Sequence, residues 1–188
     1  LKARLARNYV LTGREYEALW AFKEMVDNYP NHRAIAEFIY VAFSQAIKVR
    51  NDEVVDEMAE RFLDDPRIGD NRGDLTVRLA DYYYNEKRYS KLFTLIEDFI
   101  PEFYELPKSS DLSYYYGKGH LDEQLYQNMQ TTFGNWLKSY STEVNREGFL
   151  YWHGMGSFFI EDYQSAVDSF SEIRRKFTII TNSDGSFA

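Results

Sequence analysis

Large apolar residues recur in this chain every 37 positions, and that recurrence limits what it can fold into more than any other feature. Leu1, Phe38, Leu75, Leu112 and Phe149 form one column. Phe22, Ala59, Ile96, Phe133 and Phe170 form a second, and Met25, Phe62, Phe99, Trp136 and Ile173 a third. A unit this short cannot bury its apolar face alone, so neighbouring units must stack and share one core. Five units of 37 account for nearly all of the 188 residues.

The first unit shows what is being repeated. Leu5, Ala6, Tyr9 and Val10 have helical spacing. Gly13 interrupts, Ala18, Leu19, Phe22, Met25 and Val26 resume, and Pro30 stops the run because it cannot continue a helix. Each unit is therefore two helices, A and B, joined by a turn. Carried in frame, the pattern predicts A with B helices at 1–12 with 15–28, 34–49 with 52–65, 73–86 with 89–100, 110–122 with 125–140, and 147–160 with 162–177. The units fall at about 1–33, 34–70, 71–107, 108–144 and 145–181, within one domain. Pro101 is expected to end the third B helix early and leave 101–110 as an irregular link. Thr178 to Gly185 reads as a loop. The chain opens on Leu1 inside the first unit, so a segment of a longer protein is expected.

Leu5, Ala6, Tyr9, Gly13, Ala18, Phe22 and Pro30 resemble the tetratricopeptide repeat signature, whose units are about three residues shorter. Gly154, Tyr163, Ala166 and Phe170 of the last unit resemble it as well, and Leu79, Ala80, Tyr83, Tyr89 and Ile96 of the third do so in part. The small helix-A column reads Ala6, Phe43, Ala80, Gly117 and Gly154, with Phe43 the exception. The resemblance implies an all-α fold, a right-handed α-solenoid of about five helix–turn–helix repeats, with the A helices lining a concave groove. It implies a non-catalytic protein–protein interaction scaffold that takes a protein or peptide segment in that groove. Mapped onto this frame, the partner-binding positions are Arg7, Tyr40, Lys48, Tyr84, Tyr114, Lys118, Tyr151, Met155 and Phe159, with Ser44 and Asp122 beside them. Tyrosine suits such a surface because it buries much area with few rotors.

The same family also clamps C-terminal carboxylates with Lys, Asn and Arg on successive A helices. The matching places here are Ala3, Arg7, Val41, Asp74 and Arg78, where only Arg78 fits and Asp74 repels a carboxylate. Asn28-Tyr29-Pro30 resembles the unit endings of bacterial envelope assembly proteins, which implies a complex-building role in the periplasm. The competing reading is a structural spacer that oligomerises through its end faces, a homodimer being the simplest form.

Other chemistries find little support. The net charge is −8, which disfavours nucleic acid and anionic membranes, because phosphate binders work by placing Lys and Arg against the backbone. There is no cysteine, so disulfides and thiolate chemistry are excluded. The longest apolar run, Ile35–Val49, is broken by Glu37 and Gln45 and is too short to insert in a bilayer. His32, His120 and His153 make no metal-binding pattern, and no cofactor is expected. Gly117-Lys118-Gly119-His120 lacks the length and the Ser or Thr of a phosphate loop, so a close helix crossing at Gly117 is the expectation. Asp64-Asp65, Asp122-Glu123 and Glu161-Asp162 sit at helix ends, where caps and solvated surface explain them better than acid–base chemistry.

Overall fold

The computed structural model describes residues 2–69 and 71–178. They form ten α-helices and no strand: α1 (Lys2–Leu11), α2 (Glu15–Asn28), α3 (Ile35–Lys48), α4 (Asp52–Asp64), α5 (Asn71–Asn85), α6 (Tyr89–Phe103), α7 (Lys108–Asp122), α8 (Tyr126–Ser139), α9 (Arg146–Phe159) and α10 (Tyr163–Thr178). A short 3-10 turn, Pro66–Ile68, follows α4. The fold is all-α and built of repeated helix pairs, and each predicted helix is present with its ends displaced by less than a turn. Odd-numbered helices are the A helices and even-numbered ones the B helices. Thr178 closes α10, and the rest of the predicted terminal loop lies outside the described residues.

The chain divides into two compact units, residues 1–75 and 76–188. In the first, α1 packs on α2, α2 on α3 and α3 on α4. In the second, α6 through α10 pack each on the next, and α7 also touches α9. This packing on sequence neighbours is how a helical repeat shares its core. The periodic columns are that core. Phe22, Phe62, Leu75, Ile96, Leu112, Phe133 and Phe149 are fully buried, and each contributes about 1.5–3 kcal/mol by leaving water. Phe43, the exception in the small column, is fully buried with its ring edge on Phe62 at 5.2 Å. Where that column holds glycine instead, a ring from a neighbouring helix takes the room: Trp152 lies on Gly117 and Phe170 on Gly154. Gly117 therefore receives an indole and not a second backbone. The close helix crossing is at Gly156, where the backbone of Gln130 in α8 stands 2.7 Å from the position a Cβ would take.

The turns inside the pairs repeat more faithfully than the residues that form them. Gly13 has φ +70°, and Arg50, Lys87, Gln124 and Glu161, each 37 residues on, have φ of 53°, 56°, 57° and 66°. Each turn carries the same two hydrogen bonds. Arg14 N–H donates to the Tyr9 carbonyl and Gly13 N–H to that of Val10, and Leu125 and Gln124 repeat this with His120 and Leu121. This is the Schellman C-cap, closed by a left-handed residue. Glycine supplies that conformation without steric cost, whereas an L residue pays about 1–2 kcal/mol. Lys87→Gly and Gln124→Gly should each stabilise the fold by about 0.5–1 kcal/mol, the strain released less the extra chain entropy of glycine. Urea denaturation of each variant tests this, and a midpoint that falls in both contradicts it.

Pro101 does not end its helix. α6 continues to Phe103, so the irregular link shrinks to residues 104–107. Proline removes one hydrogen bond of the ladder, but Phe99 and Phe103 pack ring on ring at 4.6 Å and hold the last turn in place. The link is fixed by the residue that opens the fifth unit. Asn145 is fully buried, and its Nδ2 donates to the carbonyls of Tyr104 at 2.8 Å and Tyr140 at 3.1 Å and reaches the Ser109 hydroxyl at 3.3 Å. Its Oδ1 accepts from Thr142 N–H at 2.8 Å. One side chain thus joins two consecutive inter-unit links.

Candidate protein-binding face

The expected contact residues fall in both units and are taken unit by unit. In residues 1–75, Arg7 on α1 donates to Glu37 on α3 through Nη2 at 2.6 Å and Nε at 3.1 Å. Tyr40, one turn beyond Glu37, is 39% exposed. It lines a cleft of about 280 Å³ with Ala36, Glu37, Ile68, Asn71 and Leu75. Lys48 lies at the far end of α3, 4.0 Å from Glu15 of α2, and joins neither group. Ser44 departs from expectation: only 8% of it is exposed, so it belongs to the core and not to a groove.

In residues 76–188 the expected residues come together. Tyr84, in the last turn of α5, packs on Tyr115 of α7 at 6.0 Å between ring centroids. Tyr115 meets Tyr114 at 5.5 Å, Tyr114 meets Trp152 of α9 at 6.4 Å, and Trp152 meets Tyr151 at 5.0 Å. Tyr151 then reaches Phe170 of α10 at 6.3 Å. All these spacings suit edge-on aromatic contacts. The result is a continuous run of rings across three successive A helices. Tyr114 and Tyr151 remain 51% and 44% exposed, whereas Trp152 is 6% exposed because the bare backbone at Gly117 receives it.

Charge is threaded through the run. The Lys118 ammonium lies 5.3 Å from the Tyr84 ring centre and 5.7 Å from that of Tyr114, a cation held between two π faces. Tyr84 donates to Asp122 at 2.7 Å and Tyr89 donates to it at 3.3 Å. Tyr115 donates to Asp81 at 3.0 Å, and burial with this bond pushes its hydroxyl up to about 12. The Tyr84 hydroxyl is also raised, by burial first and then by Asp122. The tyrosines thus stay neutral donors and their rings are fixed.

Met155 is half-buried, four residues beyond Tyr151 on α9. Phe159 stacks on Tyr126 at 4.5 Å and 16° and is 41% exposed. Phe158 is 52% exposed, touches Phe159 and Tyr163, and extends the apolar surface at the end of α9.

The histidines serve packing. His120 is buried between Phe93 and Tyr116, and its Nδ1 donates to the Tyr116 carbonyl at 3.0 Å. Burial lowers its pKa. His153 Nδ1 lies 2.8 Å from Ser169 Oγ, a pairing that sequence reasoning missed because the two are on different helices. The Ser169 hydroxyl donates to the Ser165 carbonyl at 2.9 Å and is 5% exposed, so its proton is bound to its own helix. Among the described residues no three His, Asp or Glu side chains are placed to hold a metal ion, and no helix is long and apolar enough to cross a membrane.

Comparison with protein-family models, curated proteins and solved structures finds no match to this chain.

Proposed function

We propose that this chain is a protein–protein interaction scaffold of the tetratricopeptide type, without catalytic function, which takes a protein or peptide segment on the A-helix face of residues 76–188. The observation that carries this reading is the run Tyr84, Tyr115, Tyr114, Trp152 and Tyr151 on successive A helices, with Tyr114 and Tyr151 about half exposed. Two rigid half-exposed rings on a pre-ordered surface bind a partner at little entropic cost. The hydroxyls of Tyr84 and Tyr115 are already committed to Asp122 and Asp81, so a partner gains chiefly ring faces and edges. Arg7, Tyr40 and Lys48 extend the reading to the A helices of residues 1–75 as separate contacts.

Tyr114→Ala with Tyr151→Ala should weaken capture of the partner roughly thirty-fold, about 2 kcal/mol, with helicity unchanged. The partner is first recovered by pull-down, then measured by titration calorimetry. Unchanged affinity in the double variant removes the assignment.

A second reading, a spacer that self-associates through α10, is favoured by Tyr163 and Val167, which are 57% and 58% exposed. Val167 holds the place that Leu19 holds in α2, where Leu19 is fully buried. Light scattering separates the readings: a dimer that dissociates on dilution and is lost in Val167→Asp favours the spacer.

A further inference from the structure

The B helices of residues 1–75 carry a second surface of different chemistry. α2 and α4 hold ten acidic residues against Lys23 and Arg61, a net charge of −8 equal to that of the whole chain. On α2 the excess is offset from outside the helix, Glu24 by Lys2, Glu17 by Arg14 and Glu15 by Lys48. On α4, Glu53, Glu57, Glu60 and Asp64 follow helical spacing and form one stripe along the outer face, with Glu53, Glu60 and Asp64 exposed. At 1.5 Å per residue the stripe is roughly 16 Å long.

The positions 37 residues earlier are Tyr16, Trp20, Lys23 and Asp27, so α2 presents the matching stripe. The two stripes adjoin: Lys23 pairs with Glu57 at 2.9 Å and Arg61 with Asp27 at 2.8 Å. Tyr16 and Trp20 are 61% and 53% exposed. The corresponding residues of the later units are Ser90 and Thr94, Gln127 and Thr131, and Gln164 and Asp168, all polar. The repeat does not need an aromatic ring at this place. Two rings in water on the helix that adjoins the α4 stripe are therefore unexplained by folding.

We propose that the outer faces of α2 and α4 dock a polypeptide segment rich in arginine and lysine, independently of the aromatic face on α5, α7 and α9. Guanidinium groups of the partner stack on Trp20 and Tyr16 of α2, and others along the same segment pair with the carboxylates of the α4 stripe. Arginine fits both halves, since it is a planar cation and a fork-shaped donor. The chain already shows the contact in miniature, with the Arg14 guanidinium 4.6 Å above the Tyr9 ring. The 16 Å stripe matches an extended segment of about five residues. Binding also relieves the repulsion among like charges on α4.

Trp20 reports on the surface directly. The other two tryptophans, Trp136 and Trp152, are 5% and 6% exposed, so acrylamide quenches chiefly Trp20. The probe is a peptide alternating arginine with alanine, and its glutamate counterpart is the control. The arginine peptide should shift the emission to the blue and protect Trp20 from quenching, with affinity falling about tenfold from low to physiological salt. The double variant Glu53→Lys with Glu60→Lys, both at exposed sites, should lose this binding, and Trp20→Phe should retain part of it when followed by calorimetry. Tyr114→Ala with Tyr151→Ala should leave it unchanged, so this surface and the proposed groove fail separately. Equal protection by the glutamate peptide, binding that leaves Trp20 as accessible as before, or full binding in the charge-reversed variant overturns the proposal.

Discussion

Asn145→Leu should lower the free energy of unfolding by about 4 kcal/mol, the largest effect expected of any single change described above. The side chain is fully buried and serves four groups on three segments: the Tyr104 and Tyr140 carbonyls, the Ser109 hydroxyl and the Thr142 N–H. Leucine fills the volume but satisfies none of them, and each buried group left without a partner costs about 1–3 kcal/mol. Tyr104 and Tyr140 are half-buried and recover part of this from water, which holds the total near 4 kcal/mol. Asn145→Asp sharpens the test. It keeps the acceptor for Thr142 and turns the two donor positions into a carboxylate facing carbonyls. Burial and those carbonyls raise its folded-state pKa above the unfolded value. The variant is then closest to wild type in acid, where the carboxyl is neutral and can donate, and loses stability as pH rises past the ordinary carboxylate range. Urea denaturation followed by far-UV circular dichroism across pH measures both. Wild-type stability in Asn145→Leu would mean that the links are held by something other than this side chain.

Gly156→Val should cost nearly as much, about 4 kcal/mol, while Gly134→Ala should change stability by less than about 0.5 kcal/mol. The contrast turns on what stands opposite. A Cβ at Gly156 meets the Gln130 nitrogen at 2.7 Å and, at 3.0 Å, the Gln130 Cα and the Tyr126 carbonyl. These are all backbone atoms of α8, so α8 and α9 must part along the interface they share. A Cβ at Gly134 meets the His153 ring at 3.2 Å, which a small rotation relieves. Alanine's better helix propensity, worth about 1 kcal/mol over glycine, offsets that rotation. Thermal unfolding of the two variants in parallel decides the point, and equal losses would place the close contact elsewhere.

The elements of the fold were legible because apolar periodicity survives divergence. Burial requires only that Phe22, Ile96 and Phe133 be apolar, so three different helices show the same column. What lies between helices was less legible. The left-handed turn announces itself at Gly13, but Arg50, Lys87, Gln124 and Glu161 have no such signature and adopt it under the force of two backbone hydrogen bonds. Pro101 misled because a local rule was overridden by the ring pair Phe99 and Phe103. Gly119 and Gly156, 37 residues apart, hold the same place in their units, and only the facing element tells that one meets the Phe93 ring and the other the α8 backbone. Of the candidate contact residues, Tyr84, Tyr114, Lys118 and Tyr151 were reachable from the frame alone, since a 37-residue step returns to the same helix face. The commitment of Asp81 and Asp122 to tyrosine hydroxyls, and the seating of Trp152, depend on pairs across helices that spacing does not encode. Trp20 was visible as a letter, but its exposure was not.

The five left-handed turns have a consequence for how such a chain drifts over time. Their shape is written in main-chain donors and acceptors that every residue except proline possesses, so mutation can rewrite the side chain there and leave the joint as it was. Kinship among the units is then retained in their angles long after it has faded from their spelling.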